Sequence, residues 1–211
     1  MFSSCFRSVT FTLLVLFTVS VPCLAESGSD EPVVLVLGDS LSAAHGMELE
    51  ESWVALLQGR LQKHNPRYRV INASVSGDTS RTALNRLRKN LDRYHPDLCL
   101  VELGGNDGLQ GLPAAELNAN LDAIIALCQR SARQVLLFEI QIPMNYGPVY
   151  RDQLEAVYKE LGGREGVSLV PFFLQDVFGQ PGMMQSDGIH PAAAAQPSLL
   201  EKVWVELEPL L

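Results

Sequence analysis

Short apolar runs alternate with stretches of helical spacing along this chain. Residues 33–37 are an unbroken, mostly β-branched apolar run, which predicts a strand buried on both faces of a parallel sheet. Trp53, Val54, Leu56, Leu57 and Leu61 then recur at helical spacing, closed by Asn65-Pro66. A short second strand is predicted over 68–71. Thr79 or Ser80 opens a helix whose Ala83, Leu84, Leu87 and Leu91 form an apolar stripe. Its basic residues (Arg81, Arg86, Arg88, Lys89, Arg93) read as a solvated face. Further strands are predicted over 98–103, 134–142 and 167–171. Further helices start at Pro113, cover 150–161 up to Gly162-Gly163, and start at Pro197. This alternation predicts an α/β fold: a doubly wound parallel sheet of about five strands with helices on both faces.

The 211 residues, 47% hydrophobic and 19% charged, suit one compact domain with residues to spare at the front. Arg7 precedes an uncharged apolar stretch over 9–21, and Cys23-Leu24-Ala25 offers small residues before Glu26. This reads as a secretory signal peptide over 1–25, followed by one domain over 26–211. The apolar stretch is short for a retained membrane anchor. Pro22 sits badly next to a lipidated Cys23. Cleavage removes one arginine and no acid, taking the formal net charge from −8 to −9. Such an acidic chain without a Lys/Arg cluster argues against nucleic acid as a partner. Cys99 and Cys128 remain after cleavage. Two buried thiols are the simpler reading, although an oxidising compartment permits a disulfide.

Polar, glycine-bearing stations follow the strands. Gly38-Asp39-Ser40 follows the first, Asn72 to Thr79 with Gly77 the second, and Gly104-Gly105-Asn106-Asp107 the third. Asp187-Gly188-Ile189-His190-Pro191 follows the fifth, through a short helical stretch. In a parallel sheet these stations share the carboxyl edge, where ligands bind. A serine hydroxyl needs a base, a group to orient that base, and donors for the developing oxyanion. His190 supplies the base and Asp187 its orienting carboxylate. The Ser40 and Gly77 amides and the Asn106 side chain supply the donors. Taken singly, each station also reads as a helix cap or a turn; their conjunction on one rim carries the assignment.

The same blocks resemble those of the SGNH (GDSL) hydrolases, whose letters fall on Ser40, Gly77, Asn106 and His190. They are similar in particular to the bacterial thioesterase I/protease I/lysophospholipase group, as is the block over 142–147. The resemblance spans essentially the whole mature chain. It implies a three-layer α/β/α sandwich with flavodoxin-like strand order. It also implies hydrolysis of acyl-CoA thioesters, aryl and short-chain esters and lysophospholipids, in the periplasm. A mobile loop after Asn106 is implied too, which Gly108 and Gly111 permit.

For the acyl group, the apolar loops at the same edge suggest a groove built from Leu109, Gly111, Leu112 and Pro113 on one side. Ile142, Pro143, Tyr146 and Pro148 form the other side. His45 lies close to Ser40 but has no carboxylate evidently dedicated to it. No histidine or cysteine spacing points to a metal, and no cofactor is expected. The expected partner is a small acyl ester or thioester, with no membrane span after cleavage and a monomeric chain. Two other readings remain open: a carbohydrate O-deacetylase of the same superfamily, and a non-catalytic small-molecule-binding module. The phosphate-loop and dinucleotide glycine motifs that would favour the second are missing.

Overall fold

A computed structural model describes Met1 and residues 31–211; the expected signal peptide lies outside these described residues, apart from Met1. Five parallel strands form one sheet: β1 (Val33–Gly38), β2 (Arg69–Asn72), β3 (Leu98–Glu102), β4 (Gln134–Phe138) and β5 (Val167–Val170). Their order is β2-β1-β3-β4-β5. β1 and β3 are buried at every position, as strands covered on both faces must be.

Among the described residues, six α-helices accompany the strands: α1 (Trp53–Leu61), α2 (Ser80–Tyr94), α3 (Gly105–Leu109), α4 (Ala114–Cys128), α5 (Pro148–Gly162) and α6 (Gln196–Leu207). α1 packs with α6 on one face of the sheet, and α4 packs between α2 and α5 on the other. The result is the expected three-layer sandwich. Its core joins the strand side chains to Leu57, Leu61, Leu87, Leu121, Ile124, Leu161 and Val203. Among the described residues, no helix is long and apolar enough to cross a membrane.

The chain leaves β1 toward β2 on one side and reaches β3 on the other. The carboxyl ends of β1 and β3 therefore flank the point where the strand order reverses, the crevice at which open α/β sheets bind ligands. In the register of this pair, Gly38 stands opposite Glu102. A Cβ on Gly38 would come within 2.8 Å of the Ser42 side chain and 2.9 Å of Glu102 Oε2, so the crevice floor admits glycine alone.

Several elements depart from the expected bounds. β4 stops at Phe138, because its partner β5 ends at Val170 and the ladder closes with Phe138 opposite Val170. Residues 140–142 carry no strand pairing, although Ile140 and Ile142 are buried. Gly105, Asn106 and Asp107 of the third station lie in α3, a helix too short for apolar periodicity to reveal. The short helical stretch expected between the fifth strand and the Asp187 station is instead a run of consecutive turns over 173–179. Arg86 leaves the solvated face of α2: its Nε donates to Asp78 Oδ2 at 2.6 Å, and its guanidinium also bonds the carbonyl of Ala73. Cys99 and Cys128 are both buried with free thiols. Donation of the Cys99 S–H to Cys128, and then burial, hold the Cys99 thiol far above its ordinary range.

Candidate active site

The chain turns sharply as β1 ends. The N–H groups of Ser42 and Ala43 donate to the Asp39 carbonyl at 3.3 and 3.0 Å, and that of Leu41 donates to Asp39 Oδ1 at 3.0 Å. The turn leaves out the Ser40 amide and lifts its hydroxyl onto the sheet edge. Trp53, fully buried at the start of α1, donates its indole N–H to the Leu41 carbonyl at 3.2 Å. A core side chain thus fixes the turn one residue past Ser40.

The histidine station is held as tightly. Met184 and Pro191 form an antiparallel bridge, and the Gln185 N–H donates to the His190 carbonyl at 2.8 Å. Inside this loop Asp187 Oδ1 accepts the N–H groups of Ile189 and His190 at 2.9 and 3.0 Å. Asp187 Oδ2 lies 2.6 Å from His190 Nδ1, and His190 Nε2 lies 2.9 Å from Ser40 Oγ. The His190 hydrogen bond, and then the two backbone N–H groups, hold the Asp187 carboxyl well below the usual carboxylate range. An ionised carboxylate only accepts, so Nδ1 carries the ring proton and Nε2 accepts from the serine hydroxyl.

Asn106 stands on α3 at the other side of the crevice. Its Nδ2 donates to Asp39 Oδ2 at 3.1 Å and to the Asp78 carbonyl at 2.9 Å. Both protons of this amide are therefore engaged in the resting site. Gly104, which precedes α3, adopts φ +115°, and a Cβ there would lie 2.0 Å from the Tyr158 hydroxyl. Gly77 also has positive φ, at +86°, on a turn whose Asp78 N–H returns to the Val75 carbonyl. Arg86, bonded to Ala73 and Asp78, clamps that turn from both ends. The buried Asp107 accepts from the backbone N–H and hydroxyl of Ser80, so the second and third stations are bonded to each other.

Two acidic groups lie beneath the crevice. Burial pushes the Asp39 carboxyl up to about 6, against the opposing pull of the Leu41 N–H, His190 and Asn106. Complete burial, and then the neighbouring Asp39, push Glu102 well above its ordinary value. Glu102 Oε2 accepts from the Ser42 hydroxyl at 2.7 Å and the Asp39 N–H at 3.3 Å, while Oε1 has no partner. Burial of this kind disfavours the charged form of Glu102, as does the carboxyl of Asp39 beside it.

A cavity of about 250 Å³ opens beside Ser40 and His190. Leu109, Ile142 and Pro143, three of the eight expected groove residues, line it. Gly111, Leu112, Pro113, Tyr146 and Pro148 do not. The Tyr146 hydroxyl instead donates to the Leu109 carbonyl at 2.9 Å, bracing the loop after Asn106 from outside the cavity. More of the apolar wall comes from Ile140, Phe172, Leu174 and Phe178. The last three lie beyond β5, in a segment that the sequence reading treats only as a connection. Among the described residues, one group of three metal-ligating side chains comes together, His45, Asp187 and His190.

The chain is 52% identical over 178 residues to the esterase TesA of Pseudomonas aeruginosa, covering 84% of this chain and 89% of that protein. It is 38% identical over 211 residues to the thioesterase 1/protease 1/lysophospholipase L1 of Escherichia coli K12, covering 100% of this chain and 97% of that one. A crystal structure of TesA has a TM-score of 0.82 at 51% identity, covering 85% of this chain and 99% of its own. Residues 36–196 match the description of the GDSL-like lipase/acylhydrolase family, and the chain belongs to that family.

Proposed function

We propose that Ser40 is the nucleophile through which this ester and thioester hydrolase forms an acyl-enzyme, with His190 as its base and Asp187 as the group that orients the base. The observation that carries the reading is the continuous chain from Ser40 Oγ through the imidazole to the carboxylate, at 2.9 and 2.6 Å. Nε2 takes the serine proton as Oγ attacks the acyl carbon. The amides of Ser40 and Gly77 and the Nδ2 of Asn106 receive the oxyanion. Because both Asn106 protons are engaged at rest, one of its two bonds gives way as the oxyanion forms. The imidazolium returns its proton to the departing alcohol or thiol, and water repeats the cycle on the acyl-enzyme.

The cavity beside Ser40 takes the acyl chain. Its apolar wall favours alkyl esters, thioesters and lysophospholipids over acetylated sugars. All the groups involved come from one copy, which supports a working monomer. Residues 1–25 are a signal peptide that delivers the domain to the periplasm, and N-terminal sequencing of the exported protein tests this by finding Glu26 first.

A fluorophosphonate probe tests the nucleophile. The wild-type chain is labelled on Ser40, His190→Ala far more slowly, and Ser40→Ala not at all. Label that persists in Ser40→Ala rejects the assignment.

A further inference from the structure

His45 is not needed for the acyl transfer described above, yet the fold places it over the histidine that is. Its ring centroid lies 4.1 Å from that of His190, with the planes 32° apart. Two features hold it there. Ala44, the preceding residue, adopts a left-handed conformation at φ +58°, uncommon for a residue with a Cβ. The Gln185 side-chain amide donates to the His45 carbonyl at 2.7 Å and to the Pro191 carbonyl at 3.0 Å, so one side chain straps the serine turn to the histidine loop.

This strap gathers ligand atoms from His45, Asp187 and His190 within 4.8 Å of one another. We propose that these three side chains form a Zn²⁺ site and that the bound ion reversibly shuts off hydrolysis. Zn²⁺ takes imidazole nitrogen at about 2.0–2.1 Å and carboxylate oxygen at about 2.0–2.2 Å, which in a tetrahedral arrangement brings neighbouring ligand atoms to roughly 3.3 Å. The remaining contraction falls on the exposed His45 and Asp187. Two imidazoles and one carboxylate suit Zn²⁺, whereas Mg²⁺ and Ca²⁺ require oxygen ligands.

Either nitrogen of His190 gives the same result. Zinc at Nε2 occupies the lone pair that accepts the serine proton. Zinc at Nδ1 takes that nitrogen's lone pair, so the ring carries its proton on Nε2, where it no longer accepts from Ser40, and the bond to Asp187 is broken. The shut-off therefore rests on the role given to His190 under Proposed function; the binding itself does not.

The two parts are tested separately. Binding is measured on the Ser40→Ala chain by competition with a chromogenic zinc chelator, with and without His45→Phe, which keeps a flat ring but removes the ligand. One zinc per chain is expected, and His45→Phe weakens it at least about tenfold, no less than the loss of a supporting group around a metal costs. Absence of a stoichiometric ion, or equal affinity in both chains, overturns the site. Hydrolysis is then followed in the otherwise wild-type chain, each variant against its own metal-free rate. Zn²⁺ is expected to inhibit, a chelator to restore the rate, and His45→Phe to raise the half-inhibiting concentration at least about tenfold. Mg²⁺ has no effect. Zinc held through His45 without loss of hydrolysis overturns the shut-off, while the role given to His190 is decided separately by the fluorophosphonate labelling of His190→Ala.

Discussion

Asn106 Nδ2 and Asp39 Oδ2 meet at 3.1 Å in a place where Asp39 is only 2% exposed. The aspartate that precedes the serine is therefore not a second base. Its carboxylate offers acceptors alone, so the Asn106 amide turns its nitrogen, not its oxygen, toward the crevice. Asparagine at position 39 presents a donor as readily as an acceptor and removes that constraint. Asp39→Asn is expected to lower kcat by about 10–100-fold, short of the full loss of an oxyanion donor, with KM within about threefold. A variant with wild-type kcat would show that Asn106 is oriented by the Asp78 carbonyl alone.

Asp39 also predicts a pH dependence of stability. Its carboxyl titrates at about 6 in the folded chain against an ordinary value of 3.8, so the folded state holds this proton more tightly than the unfolded state. The contribution is fully present below pH 3.8 and is lost as pH rises through 6. At about 1.36 kcal/mol per tenfold change in proton affinity, the loss is on the order of 3 kcal/mol. Asp39→Asn does not titrate. Urea unfolding at pH 4 and pH 7 should show the variant gaining on the wild type by that order between the two. A difference independent of pH would contradict the argument.

The fold was legible in the sequence because its strands are continuous apolar runs and its long helices carry apolar residues in stride. Ser40, Asp187 and His190 were legible because each follows a strand in a glycine-bearing loop. Trp53, Arg86 and Gln185 were not. Trp53 reads as core, Arg86 as one charge of a solvated face, and Gln185 as a loop polar residue. Each acts through a bond to a backbone carbonyl distant in sequence, and periodicity carries no sign of that. The cavity wall was half legible for the same reason. Loops adjoining the recognisable blocks were visible, whereas Phe172, Leu174 and Phe178 reach the site only through the path of the chain after β5.

The carboxylate–imidazole pair separates two ways of losing Asp187. Asn at 187 keeps an oxygen for the N–H groups of Ile189 and His190 but turns an amide N–H toward Nδ1. The imidazole must then carry its proton on Nε2, where it no longer accepts from Ser40. Alanine leaves the tautomer free and admits water. Both changes are expected to lower kcat, Asp187→Asn by about 10³–10⁴-fold and Asp187→Ala by several-fold less. Steady-state rates on a p-nitrophenyl ester decide the order; Ala slower than Asn would mean that the carboxylate chiefly holds the loop together.

The rim of the cavity gives the test of acyl selection. Phe178 lines the cavity and is still 48% exposed, so a change there reaches the acyl chain without opening the core. An acetyl group stays near Ser40, whereas an octanoyl chain must lie along the apolar wall, each buried methylene contributing about 0.8 kcal/mol. Phe178→Asp puts a charge where that chain runs. It is expected to lower kcat/KM for the octanoyl ester about tenfold and for the acetyl ester by no more than about twofold. Equal losses on both esters would place the effect of Phe178 on the reacting groups themselves, since a defect there weighs on every acyl length alike.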